Sequence, residues 1–163
     1  MTTGRWDSGW WGMGRVSGWK TGCRGRTQTR TWPLRRNMKL SNRQIGAVGV
    51  QRVAGALLRL GYQVLTPMED YCGYDLVAHK GRKFTRIQVK TSEKKDPRGN
   101  RYGFMTSKGM DCKARYKSAD VDMLVCWGME DDLFWMLKPR ECKAKSYKAP
   151  IRHGSSWRIL SDL

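Results

Sequence analysis

Two short apolar segments joined by a polar loop constrain this chain more than any other feature. Residues 74–79 and 84–91 are rich in apolar side chains, and the loop at 79–83 between them is polar and contains a glycine. Apolar runs separated by a short glycine-containing turn are typical of an antiparallel β-hairpin. We therefore expect these two segments to be neighbouring strands of a sheet.

The order of side chains within this hairpin predicts a polar site. Alternate side chains of a strand share a face, so Gln88 and Lys90 should point one way while Ile87 and Val89 point into the core. Strand pairing would bring Asp75 close to Gln88 and Lys90. An acid, an amide oxygen and an ammonium group at one edge can hold a divalent metal ion and orient a water beside a phosphate. Without such a role the cluster would be unfavourable, because a buried unpaired charge costs several kcal/mol.

The segment before the hairpin is predicted to be a helix followed by a strand. Ser41 or Asn42 can cap a helix over about residues 42–60. Apolar side chains recur along this segment at helical spacing, as expected for a helix with one buried face. The stripe consists of Ile45, Val48, Val53, Leu57 and Leu60. A strand at 62–66 should follow, and a proline comes after it.

The segment after the hairpin is predicted to extend the sheet. Residues 94–108 are polar and basic, and we expect a loop there with a short strand at 102–105. The apolar run at 121–127 is typical of a buried strand. The acidic residues 130–132 form a turn in this interpretation, and 133–137 returns as the hairpin partner. A sheet with a helix on one face makes the chain an α/β protein.

The order of these elements resembles the PD-(D/E)xK nuclease superfamily over about residues 41–139. Helix, glycine, strand and proline precede Asp75, and Gln88-x-Lys90 stands where most members have Glu-x-Lys. The nearest likeness is to group I intron endonucleases, and archaeal Holliday-junction resolvases are more distant. The resemblance implies a single restriction-endonuclease-like domain, in which a mixed β-sheet is flanked by helices. It would place a second helix near 107–118 or 139–145.

The resemblance also implies roles for individual residues. Asp75 and Gln88 would ligate Mg²⁺ or Mn²⁺, with the backbone carbonyl of Val89 as a third ligand. Lys90 would orient or help deprotonate the attacking water and stabilise charge on the phosphate. Further residues would hold the DNA backbone and carry little sequence information. These are Thr91, Lys94, Lys95, Arg98 and Arg101.

One acid that the superfamily usually carries is missing. A Glu is common about eleven residues before the glycine that ends the first helix, and Val50 occupies that position here. Asp75 would then supply the only formal negative charge to the metal, and fewer carboxylates weaken the binding of a hard cation. Glu69 and Asp70 could compensate from the preceding loop, although a solvated loop also explains them. For Asp120 and Asp122 a supporting or capping role is favoured over metal binding.

The charge of the chain fits a nucleic-acid partner. There are 32 Lys and Arg residues against 14 Asp and Glu residues, a net charge of +18. Such a balance favours polyanions through electrostatic steering and counterion release, without separating DNA from RNA. No apolar run approaches the about 18 residues that a membrane helix needs. Five Cys without a Cys-x-x-Cys pair indicate reduced thiols, and we expect a cytoplasmic protein in a prokaryotic, phage or organellar setting.

Residues 1–37 differ from the rest of the chain. They hold five of the eight Trp, seven of the 18 Gly, and eight basic residues against one acid. No regular period is visible, so this segment should lack a core and be disordered alone. It is either a basic arm whose Trp side chains stack on bases, or a mis-called extension ahead of a start at Met38. Residues 38–163, the predicted nuclease-like domain, keep 24 basic and 13 acidic residues.

Three functions are compatible with the sequence. The first is a homing-type endonuclease that cleaves double-stranded DNA at a long specific site. The second is a Holliday-junction resolvase that recognises branched DNA by its shape. The third is a degenerate member that binds DNA without cutting it, because Val50 replaces the helical Glu. A dimer or tetramer is expected from the resemblance, because two strands must be cut.

Overall fold

The computed structural model describes residues 39–69, 71–109, 113–142 and 144–163. The arm or extension predicted at 1–37 lies outside the described residues, and so does Asp70, one of the candidate auxiliary acids.

The first element is the predicted helix, α1, which spans Asn42–Arg59. Ser41 is its N-cap, and its hydroxyl accepts a hydrogen bond from the backbone amide of Gln44. The side-chain oxygen of Gln44 in turn accepts a hydrogen bond from the backbone amide of Ser41. This reciprocal pair is a capping box, which satisfies backbone donors that the first turn leaves free. The helix ends at Gly61, whose φ of +80° suits glycine. The prediction of a helix over about 42–60 is confirmed.

The other elements are short strands and 3-10 turns. The strands in the described residues are β1 (Gln63–Leu65), β2 (Leu76–Lys80), β3 (Lys83–Ser92), β4 (Arg101–Met105), β5 (Ser107–Lys108), β6 (Ala114–Arg115), β7 (Met123–Gly128), β8 (Leu133–Leu137) and β9 (Ser146–Pro150). The 3-10 helices span Pro139–Glu141, Ile151–His153 and Trp157–Asp162. The strands predicted around 62–66, 74–79, 84–91, 102–105, 121–127 and 133–137 are all present, with shifts of one or two residues at most ends.

The main sheet is mixed and has the strand order β1-β2-β3-β7-β8. Strands β3 and β7 are parallel, and the other neighbours are antiparallel. The predicted hairpin is confirmed, since Leu76 pairs with Ile87 and Lys80 pairs with Lys83. Gly81, with a φ of +64°, permits the tight turn between them.

Both faces of this sheet are covered. Helix α1 packs on one face, where Val53, Ala56 and Leu57 meet Ile87 and Val89 in the largest core cluster. The β4–β9 ribbon covers the other face and forms a second cluster around β7 and β8. Its buried members are Tyr102, Phe104, Cys126, Trp135 and Ala149. Strand β3 therefore lies in the middle of the domain, with different surroundings on its two faces.

The second helix was predicted in the wrong place. Within the described residues, 107–108 and 114–115 are strands and Pro139–Glu141 is a single 3-10 turn. A 3-10 helix at Trp157–Asp162 packs beside α1 instead, with Arg59 stacked 4.5 Å over the Trp157 ring and Leu160 fully buried. The short strands β5 and β6 pair with each other and leave no room for a helix at 107–118. No helix in the described part of the chain has the length and apolar character needed to cross a membrane.

Candidate active site

The candidate site lies where β2 ends and β3 continues. The last pair in the register of these strands is Leu76 opposite Ile87, and Asp75 donates its backbone amide to the Ile87 carbonyl at 2.9 Å. Beyond that point the Asp75 side chain replaces the neighbouring strand, because its Oδ2 accepts a hydrogen bond of 2.8 Å from the amide of Val89. The backbone of the hairpin thus holds the Asp75 carboxylate against the middle of β3.

Gln88 brings a second polar group to the same point. Its side chain is buried, and its amide nitrogen lies 2.5 Å from Oδ2 of Asp75 and 3.4 Å from the carbonyl oxygen of Val89. The amide nitrogen therefore contacts both of these oxygens. Rotating the amide by half a turn would present its oxygen, since the two ends of an amide have the same shape.

The three groups fit a hard divalent cation but supply little charge. A carboxylate, an amide oxygen and a backbone carbonyl are all oxygen ligands, which Mg²⁺ and Mn²⁺ accept, and Mg²⁺ usually keeps several waters. Within the described ranges, no group of three or more His, Cys, Asp or Glu side chains is arranged to hold a metal. Asp75 is the acidic side chain that contacts Gln88 and the Val89 amide here.

Burial affects the acidity of Asp75. Removal from water raises the pKa of its carboxyl group above the ordinary value. The hydrogen bond from Val89, the positive charge of Lys90 and the amide of Gln88 oppose this rise without cancelling it. Ionisation of this carboxyl group is therefore less favourable in the folded protein than in water.

Lys90 lies next to this carboxylate on the same face of β3 as Gln88. Its side chain is half-buried, and its ammonium nitrogen lies 5.1 Å from the centre of the Tyr116 ring. The salt bridges found in the described residues do not include Lys90. A cation held by an aromatic face, without a carboxylate partner, retains donors for a phosphate or a water.

The candidate DNA contacts differ in how they are placed. Lys94 and Arg98 are exposed in the loop after β3, and Arg101 pairs with Asp96 at 3.7 Å. Thr91 is different, because its hydroxyl is buried and has no hydrogen-bond partner. The side chains of Lys94, Arg98 and Arg101 could contact a DNA backbone. The Thr91 hydroxyl does not reach solvent in this structure.

Lys95 is engaged with the acidic turn that precedes β8. Its ammonium group lies 3.0 Å from Asp131, and this contact raises the pKa of Lys95. The adjacent Asp132 accepts hydrogen bonds from Arg52 of α1 and from the indole nitrogen of Trp127. The sequence predicted a turn here but not its contacts, which connect the end of β3, the helix and β7.

The two acids before β7 are occupied by basic partners. Asp122 accepts hydrogen bonds from the Arg86 backbone at 2.8 Å and from its guanidinium at 2.9 and 3.0 Å. Asp120 pairs with Lys108 at 2.6 Å. These partners lower the pKa of both carboxyl groups. This placement agrees with the supporting role favoured for them, and Glu69 is exposed in the loop before the site.

The helix approaches β3 most closely at Gly49. A Cβ atom built at this position would lie 1.7 Å from the Thr91 hydroxyl oxygen, so no larger residue fits without movement. Val50, the position of the missing acid, is half-buried and packs against the main core cluster. The helix therefore presents glycine and valine, rather than a carboxylate, to the end of β3 beside the site.

Comparisons with known proteins agree with this geometry. A family model described as PD-(D/E)XK endonuclease matches residues 40–154, which is most of the chain. The fold is similar to that of a bacterial homing endonuclease, I-Ssp6803I, with a TM-score of 0.59 and 22% sequence identity over 76% of this chain and 95% of that one. The search of curated proteins found no significant match.

Proposed function

This chain belongs to the PD-(D/E)XK endonuclease family, and we propose that it is a metal-dependent DNA endonuclease whose active site contains Asp75, Gln88 and Lys90. The observation that carries the proposal is the convergence of the Asp75 carboxylate, the Gln88 amide and the Val89 carbonyl within 3.4 Å. Lys90 follows Gln88 by two residues on β3, so its side chain lies on the same face, and its positive charge opposes the rise that burial causes in the pKa of Asp75. The chemistry would be hydrolysis of a phosphodiester bond: the oxygen of a water bonds to phosphorus, the bond from phosphorus to one sugar oxygen breaks, and that oxygen leaves as a hydroxyl group after taking up a proton.

In this proposal the hairpin residues have distinct roles. Asp75, Gln88 and the Val89 carbonyl would hold Mg²⁺ or Mn²⁺, which supplies Lewis acidity to the phosphate and its attacking water. Gln88 would exchange its hydrogen bond to Asp75 for an oxygen contact, by rotation of its amide. Lys90 would orient the water and donate a hydrogen bond to a phosphate oxygen, where negative charge increases as the bond to water forms. The Tyr116 ring would keep its ammonium group in place.

DNA is the proposed substrate because the described domain is basic and has free cations close to the site. Residues 38–163 carry 24 basic and 13 acidic residues, so the charge argument is independent of residues 1–37. Lys94 and Arg98 are exposed in the loop that follows the catalytic strand. Contacts of this kind position a duplex through its phosphates and carry little sequence information.

A homing-type activity on a long specific site is favoured over a resolvase activity by the bacterial homing endonuclease with the same fold. The test is to incubate the protein with a linear random-sequence DNA library and with a synthetic four-way junction, each with Mg²⁺ and with Mn²⁺. Cleavage confined to a few library sequences is expected. Cleavage of the junction, with the library left intact, would instead identify a resolvase.

A second candidate function is DNA binding without cleavage. The observation that favours it is the packing of Val50 against the core, at the position where the family usually has an acid, combined with the absence of any group of three or more metal-ligating His, Cys, Asp or Glu side chains among the described residues. Binding in EDTA, together with the absence of cleavage in either metal, would select it. Asp75→Asn and Lys90→Ala serve as matched controls in this assay, because trace cleavage that persists in both variants comes from a contaminating nuclease.

A homo-oligomer, a dimer or a tetramer, is part of the proposal, because cutting both strands at one position calls for two active sites. Sedimentation velocity of the protein alone and bound to its cleaved substrate tests this. A protein that remains a monomer on DNA and cuts both strands would contradict it.

A further inference from the structure

A pocket of about 470 Å³ opens directly beside the candidate active site. Its volume lies within the range of small-molecule and cofactor sites. Gln88 lines both the pocket and the candidate metal site, so the two are contiguous. Aromatic and basic side chains form most of the remaining wall, among them Tyr71, Tyr74, Tyr116, Arg86 and Lys108.

The charges around the pocket are already paired. Arg86 is bound to Asp122 at 2.9 Å, and Lys108 is bound to Asp120 at 2.6 Å. Arg86 also donates to the backbone carbonyls of Ser118 and Ala119. A second phosphate would have to compete with these partners. The pocket is therefore better suited to a neutral polar group than to an anion.

The aromatic side chains offer flat surfaces for such a group. The Tyr71 side chain is 84% exposed, which is unusual for a large aromatic residue with no partner ring within the described part of the chain. Tyr116 is buried, and its ring centre lies 5.1 Å from the ammonium nitrogen of Lys90. Tyrosine rings beside hydrogen-bonding groups are the surfaces on which proteins stack nucleobases.

We propose that this pocket binds a nucleobase unstacked from the DNA next to the cleaved phosphate, with Tyr71 as the stacking surface. The inference rests on the proposed function, because a phosphate held at Asp75 and Lys90 carries its own nucleotide to the mouth of the pocket. Extrusion of a paired base is unfavourable, whereas a base that is already unpaired enters at little cost. The pocket would thus make the enzyme sensitive to how easily DNA opens beside the cut.

The test measures binding in EDTA of two DNA duplexes with the same arbitrary sequence. One carries a single bulged 2-aminopurine, and the other carries a bulged abasic site, so both have one extra backbone unit at the same position and differ in the presence of the base. We expect the full-length protein to bind the 2-aminopurine duplex about tenfold more tightly, as one base stacked on an aromatic side chain would give. The fluorescence of 2-aminopurine should change on binding.

Variants at Tyr71 make the test specific. Tyr71→Ala should bind the 2-aminopurine duplex and the abasic duplex with about equal affinity. Tyr71→Phe, which keeps the ring, should retain the preference for the 2-aminopurine duplex. Phe84→Ala is the matched control, because Phe84 is 61% exposed and does not line this pocket. Both side chains are exposed, and equal melting temperatures of the three variants and the parent would show that the variants are folded. Equal affinity of the parent protein for both duplexes, or an unchanged preference in Tyr71→Ala, would overturn the inference.

The binding assay and the cleavage assay separate the two hypotheses. Tighter binding of the 2-aminopurine duplex in EDTA, without cleavage in Mg²⁺ or Mn²⁺, would refute the endonuclease proposal and support the base-binding role of the pocket. Cleavage by a protein that shows no base preference would refute the pocket alone. Failure to bind either duplex, together with no cleavage in Mg²⁺ or Mn²⁺, would overturn both.

Discussion

The side-chain amide of Gln88 donates a hydrogen bond of 2.5 Å to the carboxylate of Asp75, across the end of the β2–β3 hairpin. The same amide nitrogen lies 3.4 Å from the carbonyl of Val89. The amide thus contacts both of the oxygens that would hold a metal ion in the proposed site. It partly compensates the buried carboxylate while no cation is bound, since hydrogen bonding to the charged form favours that form. This arrangement ties the stability of the hairpin to the occupancy of the site.

Lys90→Ala is expected to abolish cleavage while changing DNA affinity by no more than about tenfold. One phosphate-facing cation contributes only a small part of the affinity of a complex with many phosphate contacts. Plasmid nicking and fluorescence anisotropy measure the two effects separately. Lys145→Ala, which removes an exposed lysine, is the control and should retain both. Undiminished cleavage by Lys90→Ala would remove this residue from the active site.

Asp75→Asn is expected to stabilise the protein while inactivating it. Because burial raises the pKa of Asp75, the folded state carries the cost of a buried charge at neutral pH. As the pH falls through that raised pKa, the folded state binds a proton before the unfolded state does, and the cost disappears. In EDTA at pH 7–8 the variant should therefore melt at a higher temperature than the parent, with the difference shrinking as the pH falls toward about 4, the ordinary pKa of an Asp.

Asp122→Asn is the control of opposite sign for this experiment. Arg86 lowers the pKa of Asp122, so this carboxylate stabilises the fold above its unfolded pKa, and the contribution is lost as the pH falls through the lowered folded value. The variant should melt at a lower temperature than the parent at neutral pH.

Added Mg²⁺ should raise the melting temperature of the parent and of Asp122→Asn, but not that of Asp75→Asn. Equal metal responses in all three would place the metal elsewhere.

Replacing both Arg98 and Arg101 with Ala is expected to weaken binding to all duplexes by a similar factor. The plot of log affinity against log salt concentration should become less steep by up to about two units, because two phosphate contacts are lost. Arg101 is paired with Asp96, so its share should be the smaller one. Arg140→Ala, an exposed arginine outside this loop, is the control. Loss of preference for one sequence at an unchanged slope would show that these residues contact bases.

Val50→Glu tests the missing acid of the first helix. A carboxylate here should destabilise the protein without metal, because Val50 packs against the core and an unpaired buried charge costs several kcal/mol. If the helix faces the metal, added Mg²⁺ should raise the melting temperature of the variant more than that of the parent, and less Mg²⁺ should be needed for half-maximal cleavage. Leu58→Glu, on an exposed position of the same helix, should do neither. A destabilised variant with no metal response would assign Val50 to the core alone.

The elements that the sequence predicted are those whose signals are local. The capped helix, the turn at Gly81 and the alternation along β3 are written in neighbouring residues, because side-chain direction repeats every 3.6 or 2 residues. That alternation was sufficient to place Gln88 opposite Asp75, and the structure confirms the contact. The resemblance to PD-(D/E)xK nucleases, which rests on these same residues, is confirmed by the family model.

Tertiary structure decided what local patterns do not encode. Strand β9 pairs with β4 across more than forty residues, and its short, polar sequence has no clear strand signal. The partners of Asp122 and Asp120, the contacts of the acidic turn and the packing of Val50 depend on segments that meet only in the folded chain. A sequence shows which groups can bond or bury, but the choice among many equivalent partners follows from the packing that brings one of them within about 3 Å.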